Sequence, residues 1–575
     1  MLRLLRFLAP YRPTLALVLV LAFLQSLANL SLPRLMADIV DVGVVKGDSS
    51  YIFRTGGVML LIAFAGTACA VTASFFSAKI AIGFGRIIRE KIFTHVENFS
   101  LHEFDTFGTA SLITRTTNDP TQIQQVLTMI FNMTITAPMM VIGGVILALT
   151  QDATLTWVLV AVMPAVAALF LVIMRKAIPL YQIIQVKIDK LNLILDEALG
   201  GVRVIRAFDR GAHEHRRFDV ANLDLTDTSI KVNRIMAFMM PGMMLTLNFT
   251  SVAILWFGSI RVNQGDMPIG SLIAFLQYAT FILWSVLMMT VMFVMLPRAA
   301  ASATRINEVL DVTPEINDPA QPQSPGVQRG FVQFDGVTFS YPGAEEPALC
   351  DVSFSAEPGE VTAIIGGTGS GKSTLVNLIP RFYDVDKGRI LVNGVDVREM
   401  LQADLRSKIG FVPQRAVLFS GVIADNIRYG KGDASEAELQ HAADVAQATE
   451  FVAAMSEGLG SVIAQGGINL SGGQKQRLSI ARALVKKPEI YVFDDSFSAL
   501  DFATDAKVRA ALKGETTGAT VFIVSQRVGT IMDADRIIVL DEGRVVGIGK
   551  HRDLLDSCTV YREIVESQIS LQEAA

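Results

Sequence analysis

The chain has 575 residues, too many for one domain, and 51% of them are hydrophobic. A formal net charge of −5 argues against nucleic acid as the main partner, and three cysteines far apart (Cys69, Cys350, Cys558) exclude a disulfide framework or a cysteine metal site. The apolar residues concentrate before about residue 300, in blocks longer than a globular core helix needs, so a membrane half and a soluble half are expected.

Six stretches of roughly 20 or more apolar residues are long enough to cross a bilayer. They run near Thr14–Ala37, Thr55–Ala81, Val126–Thr150, Thr154–Met174, Ile235–Ile260 and Ile269–Leu296. The first is too long, and lacks the small-residue cleavage site, for a cleavable signal. The start, LLRFLAPYRP, fits a short interfacial helix or an ordinary basic flank. Basic residues mark the N-terminus (Arg3, Arg6, Arg12), the segment between spans two and three (Arg86, Arg89, Lys91, Arg115) and the segment between spans four and five (from Arg175 to Arg234). By the positive-inside rule these three parts face the cytosol of a cell (inner or plasma) membrane. Helical spacing of Ile188, Leu191, Leu195, Leu199 and Val202 predicts that spans two to five continue as helices into the cytosol. Turns are expected near Phe99–Phe107 and Gly200–Asp209.

The span interiors hold almost no ionisable residues: Arg34 and Lys79 lie near span ends, and Asn132, Asn248, Thr134 and Thr136 are the polar ones. Ion-coupled transport usually needs intramembrane carboxylates or histidines, so energy from outside the membrane is expected. Methionines cluster in span five (Met236, Met239, Met240, Met243, Met244) and span six (Met288, Met289, Met292, Met295). Each alone is ordinary helix packing or lipid contact; together they suit a large apolar or amphipathic cargo.

The run VTPEINDPAQPQSPG cannot bury apolar surface and reads as a linker. Expected boundaries are a membrane domain over 1–312, a linker over 313–330 and a soluble domain over 331–575. Strands and helices alternate there to about residue 572. The fold class is thus a membrane all-α six-helix domain with long cytosolic helix extensions, followed by an α/β domain with an antiparallel β subdomain, which the glycine-rich loop at Gly366–Thr374 makes a P-loop ATPase domain.

The soluble domain is organised around GGTGSGKST: Gly366, Gly367, Thr368, Gly369, Ser370, Gly371, Lys372, Ser373 and Thr374. An apolar strand precedes it and an apolar-periodic helix follows, the context of a phosphate-binding loop. Lys372 would reach the β- and γ-phosphates of ATP, and the Ser373 hydroxyl would ligate Mg²⁺. Tyr341, in FSYPG, could stack on adenine. Gln414, in GFVPQ, could reach Mg²⁺ or the attacking water. Ser471, Gly472, Gly473 and Gln474, in NLSGGQKQR, form a turn before a helix, read as a backbone anion nest. The strand in EIYVFDD ends at Asp494, placed to hold Mg²⁺, and Asp495 follows. The motif SALD comes next, and a strand over Thr520–Val524 leads into Ser525 and Gln526.

In this order and spacing the motifs resemble those of a half-transporter of the ABC exporter family, over essentially the whole chain. GGTGSGKST resembles the Walker A motif, Gln414 the Q-loop, LSGGQ the signature, YVFDD the Walker B strand, SALD the D-loop and Tyr341 the A-loop. The segments ITRTTND and EALGGVRVIRAF resemble those around the coupling helices of exporters. The resemblance implies two nucleotide-binding domains meeting head to tail, with each ATP between the Walker A of one and the signature of the other.

Two departures stand out. Asp495 occupies the place of the family's catalytic Glu, and Gln526 that of its switch His. Gln526 can donate a hydrogen bond but cannot carry a proton. His551 is too far downstream to substitute, and Gln465-Gly466 replaces the usual Glu-Arg before the signature. The implied reading is the degenerate-site subunit of a heterodimeric exporter of hydrophobic or amphipathic compounds, drugs by resemblance and lipids as a variant, partnered by a second half-transporter. The alternatives are an importer on the exporter fold, for siderophore-like cargo, and a channel or regulatory subunit gated by ATP.

Overall fold

The computed structural model describes residues 3–324, 326 and 329–568. Residues 325, 327 and 328 of the expected linker lie outside the described residues, as do 1–2 and 569–575 at the ends of the two expected domains. Contacts divide the chain into two compact units. One comprises the N-terminal segment up to His95 with Ala110–Asp311; the other comprises Val96–Thr109 with the chain from Val312 onward.

The first unit is helical. A 3₁₀ segment, Leu4–Tyr11, buries Leu4 and Leu8, so protein covers much of the apolar face that the sequence left open between lipid and flank. Then come α1 (Arg12–Asp38), α2 (Ser49–Glu97), α4 (Thr109–Met133), α5 (Thr136–Gln151), α6 (Ala153–Gly200), α7 (Val202–Ala207), α8 (Gly211–Ala237), α9 (Met239–Gln264) and α10 (Ile269–Asp311), while the short helix α3 (Leu101–Phe107), which follows α2 in the chain, belongs to the second unit. Among the described residues, six helical stretches are long and apolar enough to span a membrane, one for each expected span. The two expected cytosolic turns are the short helices α3 and α7. The third span breaks at Thr134–Ile135, between α4 and α5, where the Thr134 hydroxyl donates to the Ile130 carbonyl (2.6 Å).

Helix α10 packs on α5, α1 and α9, and α6 packs on α8 and α9. The core between them buries Leu30, Phe275, Tyr278 and Ile282, and the Tyr278 hydroxyl donates to the Leu30 carbonyl (3.1 Å). Two buried carboxylates cross-link helices. Asp152 caps α6 by accepting from the Leu155 N–H (2.8 Å) and pairs with Arg261. Asp119, only 1% exposed, accepts a two-pronged contact from Arg305, with Nε at 2.9 Å.

In the second unit, β1 (Val332–Phe339), β2 (Leu349–Ala356), β4 (Lys387–Val392) and β5 (Val395–Asp396) form an antiparallel sheet in the order β2-β1-β4-β5. The larger sheet contains β3 (Val361–Gly366), β6 (Ile409–Val412), β9 (Ile490–Asp494), β10 (Thr520–Val524), β11 (Arg536–Asp541) and β12 (Arg544–Gly549), in the order β12-β11-β3-β10-β9-β6. The short strands β7 (Gly421–Val422) and β8 (Val462–Ile463) pair by themselves. Strands β11, β3, β10, β9 and β6 run parallel. Residues of β3, β9 and β10 are buried on both faces, which is why these strands read as continuous apolar runs.

Helix α3 is fastened within this unit by Glu103. Its carboxylate accepts from the Ser100 N–H (2.6 Å), the Ser100 hydroxyl and the Glu315 N–H (2.7 Å). Burial works to raise its pKa, but these hydrogen bonds outweigh it and hold the carboxyl below its ordinary value.

Candidate functional site

Parallel pairing puts the C-terminal ends of β3, β10, β9 and β6 on one edge. Val524 lies opposite both Ile364 and Asp494, and Val412 opposite Phe493. The chain therefore leaves the sheet there with Gly366, Gln526, Asp494 and Gln414 side by side, at the edge where open α/β sheets bind ligands.

From β3 the chain turns through Gly366–Gly371 into α11 (Lys372–Leu378). Gly369 (φ 85°) and Gly371 (φ 94°) hold left-handed backbone that other residues adopt only with strain. A Cβ on Gly366 would lie 2.1 Å from the Leu540 carbonyl oxygen. Lys372 is 8% exposed, and its ammonium donates to the carbonyls of Gly366 (2.9 Å) and Gly367 (2.6 Å). Burial pushes its pKa down, while Asp495 and Asp494 oppose that shift. Next to it, the Ser373 hydroxyl donates to Asp494 Oδ1 (2.9 Å). Burial pushes the Asp494 carboxyl up, the Ser373 hydrogen bond opposes this, and Asp495 adds to it. A hydroxyl and a carboxylate joined at the phosphate loop are the hard oxygen donors that suit Mg²⁺, so these residues fit that ion.

Asp495 has φ 46°, a left-handed conformation that Asp tolerates better than most residues. Its N–H donates to the Val524 carbonyl (3.0 Å), and its Oδ2 lies 3.4 Å from Gln414 Nε2. Its carbonyl accepts from the Ser498 hydroxyl (2.8 Å), and the Ser498 carbonyl accepts from the Arg527 guanidinium (2.9 Å). The SALD turn is thereby tied to the loop carrying Gln526.

Tyr341, 37% exposed, follows β1, with its hydroxyl 3.0 Å from Thr374 Oγ1. Its ring meets Phe339 and Tyr383 edge to face, at 5.0 and 5.5 Å between centroids. A cavity of about 580 Å³ flanks it, lined in part by Phe339, Tyr383 and Asp386.

Comparison with known proteins adds identity to this geometry. Residues 15–286 match the family model described as "ABC transporter transmembrane region", and residues 349–498 the one described as "ABC transporter". The chain is 46% identical over 564 residues to an uncharacterized ABC transporter ATP-binding protein of Mycobacterium tuberculosis, covering 97% of this chain and 96% of that one. It is 30% identical over 576 residues to the ATP-dependent lipid A-core flippase of Chromobacterium violaceum, covering 100% of this chain and 98% of that one. The structure of a bacterial Atm1-family ABC exporter with ATP bound superposes with a TM-score of 0.82 at 25% identity, covering 98% and 99% of the two chains. The chain belongs to the ABC transporter family. It is an exporter-type half-transporter: a multi-pass membrane protein with a cytosolic nucleotide-binding domain, of a family that couples ATP hydrolysis to transport.

In the half-transporter's LSGGQ segment a capping box opens the helix. Ser471 caps the helix Gly472–Val485 by accepting from the Gln474 N–H (3.3 Å), and the Gln474 side chain accepts from the Ser471 N–H (2.8 Å). This capping box aligns the helix start and occupies both side chains. A Cβ on Gly473 would lie 3.2 Å from the Ala499 carbonyl, so this segment abuts the SALD turn. His551 is buried, with Nδ1 2.7 Å from the Tyr561 hydroxyl. In the membrane half, Met239, Met243 and Met289 line an apolar cavity of about 280 Å³ together with Leu169, Phe170 and Leu287.

Sequence reasoning missed Tyr383, Arg527 and Gln568. Burial, with Tyr341 and Asp105 adding to it, pushes the Tyr383 hydroxyl up to about 12. The aromatic pair Phe382-Tyr383 soon after α11 was the one local signal for it. No local pattern marks Gln568, which lies 40 residues from the loop it touches.

Proposed function

We propose that this half-transporter is one arm of a heterodimer that exports hydrophobic or amphipathic compounds. Its Walker A face, Gly366–Thr374, holds MgATP, with Lys372 on the phosphates, Tyr341 on the adenine, and Ser373, Asp494 and Gln414 around the metal. Ser373, Asp494 and Gln414 would hold Mg²⁺, which would supply charge neutralisation at the phosphates. Asp495 and Gln526 act on the γ-phosphate, and hydrolysis there is slow. Ser471–Gln474 completes the partner's competent site. ATP closes the two domains together and tilts the helices to open outward; hydrolysis and release reset them.

One observation carries this reading. The residue after Asp494 is a short carboxylate that reaches Gln414 only at 3.4 Å, while the switch position has no titratable group. A Glu would extend about 1.5 Å further, by ordinary bond lengths. Similarity over the whole chain to a lipid A-core flippase, and the methionine-lined cavity, favour a lipid as one variant of the cargo.

The test is ATPase activity of the full-length chain in nanodiscs, alone and with a second half-transporter. Slow turnover alone and brisk turnover with the partner are expected. Brisk turnover by the chain alone would overturn the proposal.

A further inference from the structure

The last described helix, Thr559–Gln568, is seated by one face. Tyr561 and Val565 are fully buried, and Gln568, three residues on, lies along the same side. The Gln568 side chain meets the switch loop twice. Its Oε1 accepts from the Val528 N–H (2.9 Å), and its Nε2 donates to the Gln526 carbonyl (2.7 Å). One amide thus brackets Arg527 and pairs with the loop as a neighbouring strand would. Val528 opens a four-residue helix whose N-cap, Arg527, provides no side-chain cap, so Gln568 supplies the acceptor that the first N–H lacks. On the other side, Arg527 donates to the Ser498 carbonyl (2.9 Å) and its N–H to the Ser525 hydroxyl (3.0 Å). The loop is held from two directions, with the Gln526 side chain left exposed between them.

We propose that Gln568 is a positioning residue: the C-terminal helix clamps the switch loop in the conformation that presents Gln526 to the γ-phosphate of bound ATP. The clamp rests on the reading of Gln526 given above. It acts on nucleotide with a γ-phosphate and leaves nucleoside diphosphate binding alone, because the diphosphate does not reach the switch. The buried Tyr561–His551 hydrogen bond (2.7 Å) anchors the helix, so Gln568 can be altered without unseating it.

The experiment compares wild type, Gln568→Ala and Gln568→Glu in the full-length chain in nanodiscs. Amide exchange at Val528 and the dwell times of bound MgATP and MgADP are measured. In Gln568→Ala, Val528 exchanges roughly 5- to 150-fold faster, the factor two neutral hydrogen bonds are worth. MgATP leaves faster while MgADP release is unchanged. Gln568→Glu keeps the acceptor for Val528 but sets a carboxylate against the Gln526 carbonyl, so it falls between the two. Unchanged Val528 exchange in Gln568→Ala overturns the clamp. Equal acceleration of MgATP and MgADP release also overturns it, because a general loosening would do that. Gln526→Ala separates this from the underlying reading. If it leaves the MgATP dwell time intact while Val528 still responds to Gln568→Ala, the phosphate role of Gln526 falls and the loop clamp stands.

Discussion

Replacing Asp495 by Glu tests the slow-site proposal most directly. The Asp495 carboxylate lies 3.4 Å from Gln414 Nε2, and Asp494 beside it is committed to the Ser373 hydroxyl at 2.9 Å. One added methylene advances the carboxylate about 1.5 Å toward the space above the phosphate loop. A displacement of about 1 Å near reacting atoms can change a rate on the order of 100-fold, and each factor of ten corresponds to about 1.4 kcal/mol of barrier. Asp495→Glu is therefore expected to speed hydrolysis at this site roughly 10- to 100-fold. The backbone opposes the change: at φ 46° Glu is less at ease than Asp, for a stability loss of up to about 1 kcal/mol. The assay is single-turnover hydrolysis of labelled ATP with the full-length chain in excess, alongside a thermal melt. Adding Gln526→His should raise the rate further. A folded Asp495→Glu chain that hydrolyses no faster would refute the argument that carboxylate reach limits this site.

Two further perturbations follow from buried groups. Arg305→Leu leaves the Asp119 carboxylate, 1% exposed, without its partner, and should cost about 3 to 5 kcal/mol, read as a lowered unfolding midpoint in detergent. Asp119→Asn should cost less, because the half-exposed Arg305 can turn to water; equal losses would show that stranding the buried Asp119 carboxylate does not set the cost. Tyr383, Tyr491 and Tyr561 are all pushed up to about 12, chiefly by burial. The unfolded chain then loses these protons first, so the stability they contribute is complete below pH about 10 and is lost as pH rises toward about 12. Tyrosinate absorbance from these three should appear together with unfolding of the soluble domain; ionisation near pH 10 in a folded domain would contradict their burial.

The sequence alone determined what depends on short-range pattern. Six apolar runs of bilayer length require six spanning helices, because every backbone polar group in lipid must be satisfied within the segment. The glycines of GGTGSGKST, between an apolar strand and an apolar-periodic helix, specify a left-handed turn wherever they fold. The Ser-Gly-Gly-Gln run marks a helix start; that each of its two polar side chains accepts from the other residue's backbone N–H needed coordinates. Tertiary structure decided what depends on residues far apart in the chain. Thr374 meets Tyr341 across 33 positions, Gln414 meets Asp495 across 81, Arg305 meets Asp119 across 186, and Glu315 meets Glu103 across 212. Helical and strand periodicity assigns a residue to a face but carries no information about which distant face it will meet. That choice is made when buried polar groups must find partners in a close-packed interior, and Gln568 closing on the loop of Gln526 is one outcome of it.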